Sequence, residues 1–239
     1  MYCRLARVPP AGEGESMKKR RTPSTRLVDR LIEGMSAVVE GDLPAVSAIA
    51  RRKRDPFKIL ISTVLSLRTK DEVTAGASKR LFAIAHTPES LARTPVPVIE
   101  KAIYPVGFYR TKARTIRAIS DRLIREYGNV VPDSIDELLT FKGVGRKTAN
   151  LVVTLGYGKQ GICVDTHVHR VSNRVGLVET TTPEQTEFAL MDVLPEKYWI
   201  GYNELVVSFG QKVCKPVSPH CSTCFFDGEC PKIGVGKHR

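Results

Sequence analysis

The run Leu138-Leu139-Thr140-Phe141-Lys142-Gly143-Val144-Gly145-Arg146-Lys147-Thr148-Ala149 breaks one apolar helix pattern with G-V-G and opens another. Two glycines around one apolar residue predict a tight turn with φ > 0. They also predict backbone N–H groups left open beside a helix N-terminus, which is a site for one phosphate. A nucleotide-binding P-loop is excluded, because it spaces its glycines further apart and follows them with Lys-Ser/Thr. An ordinary inter-helix turn uses the same glycines. With the apolar positions before it and Ala149 after it, the pattern is that of a helix–hairpin–helix clamp on a DNA backbone. Lys147 falls in the first turn of the new helix. A lysine of ordinary pKa, about 10.4, is almost wholly protonated at neutral pH. To act as a nucleophile it needs that value lowered by desolvation, by the helix dipole or by a like charge, and Arg146 stands next to it. The alternative role for Lys147 is a phosphate contact.

A second group follows in Gly161-Ile162-Cys163-Val164-Asp165-Thr166-His167-Val168-His169-Arg170-Val171. Asp165 is either the N-cap of a helix beginning at Thr166 or a carboxylate facing a centre that develops positive charge. Asp165, His167 and His169 imitate a metal motif, but residues two apart on a helix point to different faces. The third group is Cys214-x6-Cys221-x2-Cys224-x5-Cys230. Four clustered thiols in a reducing compartment bind metal more readily than they pair as disulfides. They suit a structural zinc or an iron–sulfur cluster. Neither the paired C-x2-4-C of a zinc ribbon nor the ferredoxin C-x2-C-x2-C-x3-C is present, and the spacing leans to [4Fe–4S]. Pro216, Pro219 and Pro231 stiffen the segment.

The elements that must position these groups read as helices. Leu27, Leu31 and Met35 recur at helical spacing, as do Val28, Ile32 and Val39. Leu43–Ile49 begins a short helix. Pro56 opens a more buried one with Phe57, Leu60, Ile61, Val64 and Leu65 on its apolar face. Asp71–Ala85, Pro88–Arg93, Pro97–Ile103 and Lys112–Tyr127 continue the pattern, several of them with proline in the first turn. Strict alternation is scarce, so the expected fold class is all-α. Residues 1–25, with Pro9-Pro10 and the run Lys18-Lys19-Arg20-Arg21, read as a poorly ordered basic leader, and Met17 is an alternative start.

The chain has 239 residues, 42% of them hydrophobic, which is enough for a substantial core and excludes a wholly disordered chain. It carries 37 Lys+Arg against 25 Asp+Glu, a net charge of +12, which points to a polyanionic partner. Aromatic residues at 7% argue against a single-strand binder built on stacking platforms. No apolar run is long enough for a transmembrane helix or a secretory signal, so no membrane partner and a cytoplasmic location are expected.

Together and in this order, FKGVGRKTAN (141–150), VDTHVHRVSNR (164–174) and the cysteine box resemble the endonuclease III family of DNA glycosylases, within the helix–hairpin–helix superfamily. The similarity runs from about Arg26 to Lys232. The resemblance implies two helical domains with a DNA-binding cleft between them. Residues 49–159 would form a six-helix barrel, and 26–48 with 160–239 a discontinuous cluster domain. It implies that Lys147 attacks the sugar C1′ and that Asp165 is its carboxylate partner. A [4Fe–4S] cluster would sit on Cys214, Cys221, Cys224 and Cys230. Arg68 in LSLRTKD and Phe108 in PVGFYRTKA would fill the duplex where a base has left. The hairpin and its surroundings (Lys142, Gly143, Val144, Gly145, Arg146, Thr148) and His167 would contact DNA. Lys142 stands where the family usually has proline, and the loop KPVSPH between the first two cysteines has one lysine where the family is usually basic.

The expected function is a monomeric bifunctional glycosylase/AP lyase of base excision repair. It would act on double-stranded DNA with damaged bases or abasic sites, removing oxidised or ring-saturated pyrimidines through a lysine Schiff base and nicking by β-elimination. A mismatch-specific thymine/uracil glycosylase shares the fold but commonly lacks the lysine. A non-catalytic DNA-binding module with a structural metal is the alternative from another class.

Overall fold

The computed structural model describes residues 25–39, 44–52 and 54–239. The leader with its basic run, Cys3 and Met17 lies outside them, as does Leu43. The described residues form helices joined by turns, with no strand among them: α1 (Thr25–Val39), α2 (Ala45–Arg52), α3 (Pro56–Ser66), α4 (Asp71–Ile84), α5 (Pro88–Arg93), α6 (Val96–Ile103), α7 (Tyr109–Tyr127), α8 (Ile135–Leu139), α9 (Arg146–Leu151), α10 (Thr166–Arg174), α11 (Pro183–Val193) and α12 (Trp199–Lys212). The all-α expectation therefore holds for the described chain. No described helix is long and apolar enough to cross a membrane.

Two separate apolar clusters organise these helices. The first draws on residues between Val46 and Val153. Its centre is α3, which Asp55 starts by accepting the Lys58 N–H at 3.1 Å, with Pro56 at the first position. Every residue from Phe57 to Leu65 except Lys58 is buried, so α3 is enclosed on all sides rather than amphipathic. Ser62 and Thr63 are included in that burial, and the Thr63 hydroxyl donates back to Ile59 O at 2.7 Å. Helices α2, α4, α7 and α9 pack around it. After α9 the chain widens into a π-helical turn, Val152–Gly156. There a Cβ on Gly156 would lie 3.2 Å from Pro56 Cα, so glycine lets the turn close on the start of α3.

The second cluster combines Val28–Val39 of α1 with residues from Ile162 to Phe226. Here α12 packs against both α1 and α10. In α1, a Cβ on Gly34 would meet the Phe225 ring at 2.2 Å, so the ring lies directly on helix backbone. The chain thus starts in one core, builds the other, and returns.

Leu60 is fully buried at the centre of α3. Leu60→Ala is expected to lower the unfolding free energy by about 2–5 kcal/mol with an unchanged denaturant slope. A loss under about 1 kcal/mol in urea titration would show that α3 is not the centre of a close-packed core.

Candidate active site

Lys147 and Asp165 come from different cores and meet in space. Gly143 makes the turn before α9, with φ 88°, and a Cβ there would lie 2.7 Å from Thr115 Cγ2. Gly145 differs from the expectation. Its φ is −101°, an extended conformation open to any residue, and a Cβ would meet nothing within 4 Å. Its bareness leaves open space above the N-terminus of α9. Among the described residues, the Gly143 and Gly145 N–H groups make no internal hydrogen bond, whereas Val144 N–H donates to Phe141 O at 3.0 Å.

Asp165 begins α10 and uses its two oxygens for two purposes. Oδ1 accepts the N–H groups of His167 and Val168, each at 2.9 Å, which is the N-cap. Oδ2 accepts from Lys147 Nζ at 3.0 Å. The carboxyl is 8% exposed. Burial alone would push its pKa up, but the Lys147 ammonium and the Val168 amide outweigh it and hold the carboxyl below its ordinary value. Capping and catalytic readings of Asp165 are therefore compatible, one oxygen for each.

The pair lines a cavity of about 240 Å³ between the cores. Ser66, Arg68, Thr69 and Leu151 contribute from one side, and His167, Asn203 and Gln211 from the other. Arg68 and Phe108, predicted as duplex-filling residues, lie together, the guanidinium carbon 5.9 Å from the ring centroid. Phe108 is 65% exposed. Lys142 is exposed at the hairpin. His167 is half-buried with Nδ1 3.1 Å from Arg170 Nη2, and burial, outweighing Asp165, lowers its pKa. That arrangement keeps its ring neutral.

Three expected DNA contacts are revised by this geometry. The Val144 side chain is buried and its N–H is already bonded. Thr148 is buried at 1% exposure, so its hydroxyl faces the interior. Arg146 is engaged by a carboxylate: Nε and Nη2 donate to both carboxylate oxygens of buried Glu187 at 2.7 and 2.9 Å. Its charge is matched there.

The sequence reading missed the residues that hold this pair in place. Glu187 on α11 also accepts from Asn150 Nδ2 at 3.2 Å and so joins α9 to the second core. Asn203 Nδ2 on α12 donates to Cys163 O at 3.0 Å, fixing the segment that leads into Asp165. Cys163 itself is buried, and burial pushes its thiol pKa strongly up, so it is an inert packing residue. On α10, Arg170 Nη2 donates to Gly210 O and Cys214 O at 3.1 and 2.9 Å. Arg174 donates to Lys215 O and Pro216 O at 2.6 and 2.8 Å. The signal available was their i,i+4 spacing within VDTHVHRVSNR, which puts both on one helix face.

The four cysteines of the box are free and line one cavity, whose other walls include Leu31, Met35, Phe209 and Phe226. Burial raises the thiol pKa values of Cys221, Cys224 and Cys230, and the other sulfurs push the same way. Four clustered thiolates would need a compensating cationic group, and four sulfurs on one cavity, beside Arg174 and Lys232, fit an iron–sulfur cluster. Among the described residues no three His, Cys, Asp or Glu side chains are placed to hold a single metal ion.

Residues 61–196 match the HhH-GPD superfamily of base excision DNA repair proteins. Endonuclease III of Thermotoga maritima is 50% identical over 179 residues, covering 75% of this chain and 84% of that protein. A solved structure of a trapped endonuclease III–DNA covalent intermediate matches with a TM-score of 0.78 at 33% identity, over 88% of this chain and 97% of that one. A thermostable thymine-DNA glycosylase matches with a TM-score of 0.73 at 24% identity, which is a likeness of fold alone. The chain belongs to the endonuclease III family, the DNA glycosylase/AP lyases of the HhH-GPD superfamily.

Proposed function

We propose that this chain removes oxidised or ring-saturated pyrimidines from duplex DNA and cleaves the resulting abasic sites, acting as a monomer in the cytoplasm. The observation that carries the reading is the 3.0 Å contact of Lys147 Nζ with Asp165 Oδ2 at the wall of a cavity between two cores. The unbonded Gly143 and Gly145 N–H groups hold a backbone phosphate beside the site. Lys142 adds charge, and the net charge of +12 favours the duplex as a whole. A nucleotide leaves the stack at a cost of a few kcal/mol, less when its base is damaged, and Arg68 and Phe108 fill the space it vacates.

For attack, Lys147 must give up a proton, and Asp165 Oδ2 is the acceptor within hydrogen-bond reach. The Nζ lone pair then forms a bond to C1′ while the glycosidic bond breaks and the base departs with its electron pair. The proton passes from Asp165 to the departing base, and the buried carboxylate, ionised again, stabilises the cationic character of the sugar. Ring opening gives the Schiff base, and loss of a C2′ proton expels the 3′ phosphate, nicking the strand. Cys214, Cys221, Cys224 and Cys230 would hold a [4Fe–4S] cluster, which supplies structural order to the box when bound.

Lys147→Ala is expected to abolish borohydride trapping of a covalent complex with abasic DNA while keeping duplex affinity. Persistent trapping would mean that another amine is the nucleophile. Asp165→Asn retains the capping oxygen and removes the charge, so it should keep the melting temperature and slow single-turnover base release. Asp165→Ala removes both functions and should also lose about 1 kcal/mol of stability. Unchanged base release by Asp165→Asn would leave Asp165 with a capping role alone. Purified protein should be yellow-brown and contain iron and sulfide, and Cys224→Ala should lose the colour. Colourless protein containing zinc would replace the cluster with a structural ion.

A further inference from the structure

The turns that carry Arg68 and Phe108 are fastened by a side chain that the chemistry above does not use. Lys112 lies in the first turns of α7 and is 7% exposed. Its ammonium donates to Leu65 O at 2.8 Å, to Leu67 O, and to Thr69 Oγ1 at 3.2 Å. The two carbonyls belong to the end of α3, where a cation meets acceptors that lack intrahelical partners. Thr69 Oγ1 also accepts the Gly107 N–H at 3.2 Å. One ammonium therefore ties the turn after α3 to the turn before α7.

Both turns hold conformations that need support. Arg68 has φ 53° and Phe108 φ 58°, the left-handed region that side-chain-bearing residues seldom adopt. Such strain persists where the surroundings over-determine it. Gly107 lets the turns approach, since a Cβ there would lie 2.6 Å from Arg68 O. Burial lowers the Lys112 pKa to about 8, and such a group is tolerated only with its acceptors in place. Thr69 completes the junction, its hydroxyl also donating to Leu67 O at 3.3 Å.

We propose that Lys112 is a positioning residue for base extrusion, holding Arg68 and Phe108 side by side in the form in which they enter the base stack. The inference rests on the glycosylase/lyase reading and divides its labour. Lys112 touches neither sugar nor base. It matters where a paired base must be turned out, and much less where the base is already gone.

The test compares wild type, Lys112→Met and Thr69→Ala under single-turnover conditions. Two duplexes are used, one with a base-paired ring-saturated thymine and one with a preformed abasic site. Lys112→Met keeps side-chain length and removes all three donated bonds. Thr69→Ala removes only the shared hydroxyl and serves if the first variant fails to fold. Base release by Lys112→Met should fall by about ten- to a hundredfold, the range for losing hydrogen bonds to a charged group. Thr69→Ala should fall less, and in both variants abasic-site cleavage should fall far less than base release. Fluorescence of a 2-aminopurine beside the lesion should show weakened unstacking in the same order. Equal losses on the two substrates, or unchanged base release, would overturn the positioning role. A wild type inactive on both duplexes would instead overturn the function reading on which it rests.

Discussion

An amine and a carboxylate are held in contact although each belongs to a different hydrophobic core, and the rest of the molecule is arranged around that constraint. Lys147 rides on α9, whose end packs against the buried α3, while Asp165 begins α10 in the second core. A small rotation of one core against the other would separate the pair. The Arg146–Glu187–Asn150 cluster spans the junction next to Lys147, and a bidentate pair on a buried Glu187 fixes orientation as well as distance. Removing Arg146 is costly because the Glu187 charge stays buried.

Asp165 divides its two oxygens between the start of α10 and Lys147. Its capping oxygen anchors the carboxylate to two amides, so the second oxygen is presented with little rotational freedom. Preorganisation of this sort lets a charge act in a reaction without reorganising at the moment it is needed. Helix α10 then carries the same rigidity away from the site. Arg170 and Arg174 bind carbonyls around Cys214, so the cysteine box and the Asp165 carboxylate are opposite ends of one fixed rod.

Much of this was legible in the sequence where local chemistry decides the outcome. Pro56, Asp71 and Pro88 mark helix starts because their backbone preferences are local, and Gly143 takes the positive φ that a G-V-G turn predicts. Helix α7 begins at Tyr109 rather than Lys112, because Phe108 stops the chain in a left-handed conformation that its residue type gives no reason to expect. Among the described residues, helix α2 runs from Ala45 to Arg52, three residues beyond the expected end at Ile49. The partnership of Lys147 with Asp165 came from motif resemblance, since nothing in their spacing brings two helices together. Glu187 was invisible: on an amphipathic helix it reads as a solvent residue, and only the approach of Arg146 from another helix explains its burial. Arg146, assigned to Lys147 by adjacency in sequence, was claimed instead by that distant carboxylate.

The return of the chain to its first core has a consequence for biosynthesis. Helix α1 emerges from the ribosome long before α10 and α12, the surfaces that bury it, whereas the cluster between Val46 and Val153 is contiguous and can consolidate while translation continues. Lys147 is thus translated into a nearly finished scaffold. Its carboxylate partner is locked only when the later helices arrive, so the contact between Lys147 and Asp165 forms late in synthesis.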